Sequence, residues 1–199
     1  MEGLEGPSPL GYNVGMTAGE CQCPKLNLAE WRDREVSLAG QSFLTAPTFL
    51  FLHVPRRLSV DLEALYSRID GAQYRITGAP MVLHRDGWFS GEVLVSVDHA
   101  AAGSPSVCSF QNLFYSRVVD RPGFDAALRA MPGFYRDLRA ARLGRIEAMY
   151  FWYLSCPRCL LERGAGQIIL MARSNKLLAT DACPASAGPI ARQILPCGV

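Results

Sequence analysis

Thr48-Phe49-Leu50-Phe51-Leu52-His53-Val54 is an apolar run stopped by Pro55, and Ser59-Val60-Asp61-Leu62-Glu63-Ala64-Leu65-Tyr66-Ser67-Arg68-Ile69 follows it. The first piece has the length and the aromatic content of a strand. In the second, Ser59 offers an N-cap and Asp61 and Glu63 place negative charge in the first turn. Leu62, Leu65, Tyr66 and Ile69 recur at helical spacing, and Asp70-Gly71 ends the helix. Two further strands are expected. One lies around 74–84, broken by Gly78-Ala79-Pro80; the other is 91–97, after the turn residues Arg85-Asp86-Gly87. The unit reads β-α-β-β.

The second half repeats that order. Residues 107–119 read as one long strand stopped by Pro122-Gly123. Residues 124–142 carry helical spacing interrupted by Met131-Pro132-Gly133, which predicts two short helices or a kinked one. Residues 147–155 and 166–172 supply the two closing strands. A single unit covers one sheet face with one helix, and joining two buries what each would leave exposed. The expected fold is therefore α+β, with two tandem β-α-β-β units whose sheets combine. An irregular leader spans 1–46, with a short helix near 28–36 and Trp31 available to dock. The domain runs over 47–175, with units at 48–97 and 107–173, and a Pro-bearing tail occupies 176–199.

The composition narrows the function classes. The chain has 199 residues, 49% hydrophobic, with 20 basic against 18 acidic side chains and a net charge of +2. One domain is the default at this length. Near-neutral charge argues against a nucleic-acid binder, which would carry a dense basic stripe. No stretch reaches the roughly 18 apolar residues that span a bilayer, so no membrane partner is expected. The first residues lack a basic start and an apolar run, so no secretory signal is visible and the cytoplasm is expected. Seven cysteines, an odd number, do not suggest a disulfide framework in that compartment.

Three local sequences point to a family. They are Asp86-Gly87-Trp88-Phe89-Ser90-Gly91-Glu92, then Tyr150-Phe151-Trp152-Tyr153-Leu154-Ser155-Cys156-Pro157-Arg158-Cys159, then Gly166-Gln167-Ile168-Ile169-Leu170-Met171-Ala172. Set in a tandem β-α-β-β order, they resemble the GyrI-like small-molecule-binding superfamily, in a branch with a Cys-Pro-x-Cys turn. Its relatives include effector-binding domains of transcription regulators, SOUL-type haem binders and GyrI-like hydrolases. The resemblance covers residues 48–173. It implies that the two units form a curved antiparallel sheet with the helices on one side, the convex one, and a ligand cleft at the concave junction, holding aromatics and a buried carboxylate. Hydrolytic members of the superfamily use a carboxylate together with a Tyr. Carried onto this chain, Glu92 and Tyr153 are the catalytic candidates. Trp88, Tyr115, Phe151 and Trp152 are the ligand-binding candidates.

The residues themselves leave alternatives open. Glu92 interrupts an apolar run and shares a face with Leu94 and Ser96. In a cleft, desolvation would raise its pKa and suit it to acid catalysis or cation binding; at a strand end it is a solvated edge residue. Alternation sends Phe151 and Tyr153 to one face and Tyr150 and Trp152 to the other. One pair packs beneath helices; the other stacks on a flat ligand or is buried as core. Cys156 and Cys159, two residues apart, suit a metal or a dithiol, and Cys21 and Cys23 could complete a four-thiolate zinc site. Inert thiols are the third reading. His53, His84 and His99 form no metal spacing and read as surface or core histidines. The expected functions are thus binding of a small apolar or cationic ligand, hydrolysis of small electrophiles, or zinc or thiol chemistry at the Cys-Pro-Arg-Cys turn.

Overall fold

The computed structural model describes residues 23, 26–71, 74–76, 79–98, 107–142, 144–155, 159 and 166–177. The first unit comprises β2 (Ser42–Phe51), α1 (Leu58–Gly71), β4 (Val82–Arg85) and β5 (Ser90–Val97). The second comprises β7 (Asn112–Val118), α2 (Phe124–Ala140), β8 (Ile146–Tyr153) and β9 (Ile168–Leu177). Short strands β1 (Arg34–Ser37), β3 (Val54–Pro55) and β6 (Val107–Ser109) are added at the edges. The nine strands among the described residues form one sheet in the order β1-β7-β9-β8-β4-β5-β2-β3, with β6 also on β2. Each unit is laid out first, third, second strand from its edge inward. The two second strands, β4 and β8, then pair antiparallel: Leu83 opposes Trp152 and His84 opposes Phe151. The chain is an α+β protein of two tandem β-α-β-β units, related by an approximate dyad at that seam.

Both sheet faces are buried, which is why residues 93–95 of β5, 148–153 of β8 and 168–172 of β9 are continuously apolar. Leu62, Leu65, Tyr66 and Ile69 of α1 belong to the same packed cluster as Ala127, Phe134 and Leu138 of α2. That cluster rests on Val82, Val93, Val95, Phe151, Tyr153 and Leu170, so both helices cover one face. The other face carries Phe43, Leu83, Leu94, Phe114, Tyr150, Trp152, Ile169 and Met171. Phe110 shows how strongly the sheet curves. In the strand order β2 and β7 lie five spacings apart, roughly 24 Å in a flat sheet at about 4.8 Å each. Yet the Phe110 ring sits 5.4 Å from Phe43 of β2 and 5.1 Å from Phe114 of β7. The sheet is curled around the face opposite the helices without closing.

Several expectations shift in detail. The leader is not helical over 28–36: a 3-10 turn, Leu28–Trp31, gives way at Asp33 (φ 50°) to β1, which pairs with β7. Trp31 docks edge-to-face on Trp152, ring centroids 4.8 Å apart. Its carbonyl accepts the Ser116 hydroxyl at 2.9 Å. β2 starts at Ser42 and runs through Pro47, because β6 covers only 42–44 and β3 only 50–51. A missing N–H at Pro47 therefore falls on an open edge. The expected strand 107–119 splits where Phe110 turns into the curled face. The strand around 74–84 shortens to Val82–Arg85. α2 passes Pro132 as one helix; that position is exposed, so water can serve the carbonyl that Pro132 leaves without a donor. Among the described residues no helix is long and apolar enough to cross a membrane. The 176–199 tail falls outside the described residues from 178 onward.

Candidate functional site

Two hairpin tips meet at one end of the first unit. Phe51 opposes Val54, so Leu52 and His53 form a two-residue turn, both with positive φ (50° and 72°). Such a turn matches the twist of the strands, but it is normally built from Asn and Gly. A side chain there costs about 1 kcal/mol or more per residue. Beside it runs the connection from β4 to β5. The Leu50 amide donates to the Phe89 carbonyl at 3.1 Å, and the Leu52 amide to the Trp88 carbonyl at 3.0 Å. Two glycines fix the path of that connection. A Cβ on Gly87 would lie 2.1 Å from the Ser90 carbonyl oxygen, and one on Gly91 would lie 2.3 Å from the Arg85 carbonyl oxygen.

The zipped tips bring His53 onto Asp86. His53 Nδ1 lies 2.8 Å and 3.0 Å from the two carboxylate oxygens of Asp86. The carboxylate side chain is only 8% exposed, the imidazole 24%. Burial pushes the Asp86 pKa up, while the His53 hydrogen bond and charge and the Gly87 amide pull it part of the way back. The Asp86 backbone is itself held by its amide, which donates to the Met149 carbonyl at 2.8 Å. With Nδ1–H donated to the carboxylate, Nε2 is the ring nitrogen left to take a proton. The Trp88 ring lies 4.9 Å from the His53 ring and is 63% exposed.

A second polar group lies on the same face, under the helices. His84 is wholly buried, stacked on Phe151 at 5.6 Å. The Tyr153 hydroxyl is 3.4 Å from its Nδ1. Its Nε2 meets no hydrogen-bond partner among the described residues. Burial alone pulls the His84 pKa down to about 3, so the ring is neutral. The same burial pushes the Tyr153 hydroxyl far above its ordinary range, with the Asp86 charge adding to it. Tyr135 of α2 is also pushed up, by burial and then by Asp86. It lines an open depression of about 470 Å³ with Pro132, Arg136 and Arg139.

The residues singled out from sequence are distributed over both faces. Tyr153 and Phe151 face the helices, and Tyr115 belongs to the same cluster. Burial, with Glu35 next, pushes the Tyr115 pKa up to about 12. Trp152 is 1% exposed beneath Trp31, on the curled face. By alternation with Leu94, Glu92 also lies on that curled face, so Glu92 and Tyr153 are on opposite sides of the sheet. Glu92 is half-exposed and ion-paired with Arg85 at 3.0 Å. Beside them is the buried Tyr150, whose pKa burial pushes up to about 12. Trp88 is the residue of the set that stands at the His53–Asp86 pair. The sequence reading missed that pair. Its signals were a His at a two-residue turn and an Asp-Gly at the end of the next strand.

Cys21 and Cys156, two members of the four-thiolate set, lie outside the described residues. Cys23 is partly buried and Cys159 buried. Among the described residues no three His, Cys, Asp or Glu side chains gather as metal ligands.

No curated protein and no solved structure matches this chain. Among protein families, the one described as bacterial hydrolase matches residues 13–174, a span that takes in the His53–Asp86 pair and both β-α-β-β units save the last three residues of β9. The chain belongs to that bacterial hydrolase family.

Proposed function

We propose that the chain hydrolyses a small electrophilic compound, with His53 as general base and Asp86 as its orienting partner. Water loses a proton to His53 Nε2 as its oxygen attacks the electrophilic carbon; the carbon–oxygen bond to the leaving group then breaks, and the departing oxygen takes that proton back from the imidazolium. Asp86 holds the imidazole in the tautomer with Nδ1–H and stabilises the imidazolium that forms. The observation that carries this reading is the 2.8 Å contact between an accessible His53 and a nearly buried Asp86. Strain supports it, since two side chains are held at positive φ where Gly would be easier. Membership of a hydrolase family supports it independently. Tyr153 and His84 are buried under the helices with the hydroxyl 3.4 Å from Nδ1, and this reading gives them no part in the chemistry. The edge-to-edge joining of two β-α-β-β units through β4 and β8 supports a GyrI-like ancestry.

Turnover of nitrophenyl acetate and of a small epoxide by the purified chain tests the reading. It predicts hydrolysis of at least one that falls a hundredfold or more in His53→Gln, a typical general-base contribution. The competing reading is ligand binding without turnover on the curled face, at Glu92 and Arg85. In that case Glu92→Gln lowers affinity for hit compounds, and His53→Gln changes nothing.

A further inference from the structure

We infer that the exposed tip formed by Leu52, Trp88 and Phe89 is the apolar subsite of this centre, and that the substrate is an ester or related electrophile with a hydrocarbon tail. The inference rests on the His53–Asp86 reading for the position of the reacting carbon, and it adds the chemistry of the group beside it. Leu52 is 47%, Trp88 63% and Phe89 58% exposed, a high proportion for large apolar side chains gathered on two adjoining turns. Their backbones are held side by side, since the Leu52 amide bonds the Trp88 carbonyl and the Leu50 amide bonds the Phe89 carbonyl. Exposed apolar side chains gathered on adjoining turns, unlike ones scattered singly, are what an apolar ligand surface requires.

Two observations tie the tip to the base. The Trp88 ring lies 4.9 Å from the His53 imidazole, so a molecule presenting its electrophilic carbon to Nε2 has that ring alongside. The path of the tip is also sterically constrained. Gly87 and Gly91 sit where any Cβ would strike backbone oxygen, and Leu52 shares the strained turn with His53. A pre-ordered apolar surface binds without paying to organise itself. Leu52, Trp88 and Phe89 offer almost only hydrocarbon and indole surface, so the group that they accommodate is apolar.

Methyl ketones from hexanone to decanone, which cannot be hydrolysed, test this by calorimetry on the full chain. Affinity is expected to rise about twofold per methylene, half the gain of complete burial, because the tail is covered on one side only. In Trp88→Ala that dependence on length is lost, and in Trp88→Phe it is largely kept. Affinity independent of length, or a length dependence unchanged in Trp88→Ala, overturns the subsite. So does a tip that fails to bind ketones but is required for adsorption to phosphatidylserine vesicles, or for self-association. Failure of the base reading looks different: ester turnover is then insensitive to His53→Gln while ketone binding still tracks Trp88.

Discussion

His53 and Asp86 stand 33 positions apart in the chain, and the His53 Nδ1 lies 2.8 Å from the Asp86 carboxylate. Their meeting depends on the sheet order. β2 carries His53 at its tip and lies next to β5, whose hairpin partner β4 delivers Asp86. An imidazole oriented by a shielded carboxylate, with an aromatic ring beside it, is suited to taking a proton from water.

Asp86→Asn keeps the size of the side chain and removes its charge. The amide can offer His53 the wrong hydrogen-bond partner and cannot stabilise an imidazolium. Turnover is expected to fall roughly a hundredfold to ten-thousandfold, in kcat more than in KM. Steady-state kinetics on nitrophenyl acetate check this; a change confined to KM would assign Asp86 to binding.

Burial holds His84 neutral, with its pKa pulled from 6.5 down to about 3. Between those values the unfolded chain takes up a proton that the folded chain refuses. This contribution to stability is therefore full above about pH 6.5 and is lost as pH falls, at up to about 1.4 kcal/mol per pH unit from this one group. Urea titrations between neutral and mildly acidic pH should show that slope, and His84→Gln should flatten it. An equal slope in the variant would place the acid sensitivity elsewhere.

Gly91→Ala places a Cβ 2.3 Å from the Arg85 carbonyl oxygen and 2.8 Å from Leu50 Cδ1. The β4–β5 hairpin has to shift, and Asp86 and Trp88 shift with it. A stability loss of about 1–3 kcal/mol, as for overpacking elsewhere, should accompany loss of turnover. Denaturation and kinetics on the same preparation check it, and retention of both would show the tip to be pliable.

Trp31→Ala removes the ring that lies edge-to-face over Trp152. Both rings are buried, so the cost is that of a large core truncation, about 3–5 kcal/mol. Trp31 is on the curled face, away from His53, so turnover per folded molecule should be retained. Comparing urea midpoints with specific activity separates the two effects.

The tandem units were legible because each carries its own periodicity. Leu62, Leu65, Tyr66 and Ile69 mark α1, and the alternation in Tyr150-Phe151-Trp152-Tyr153 places each ring on its observed face. The leader was less legible. Its docking depends on Trp31 finding Trp152 across the sheet, and its strand depends on a free edge of β7. Neither leaves a local pattern. Glu92 was readable as an acidic residue in an apolar run, but not its partner: Arg85 comes beside it only through the β4–β5 register. The His53–Asp86 pair was hidden for the same reason. Each residue alone resembles ordinary turn chemistry, and only the strand order joins them.

The most direct measurement is turnover of nitrophenyl acetate by His53→Gly with and without added imidazole. Glycine adopts the positive φ of position 53 without strain, so the turn is kept while the base is removed. A loss of a hundredfold or more is expected, with partial recovery, above the hydrolysis that imidazole causes alone, when imidazole fills the space beside Asp86. Turnover equal to the wild type in the absence of imidazole would contradict it.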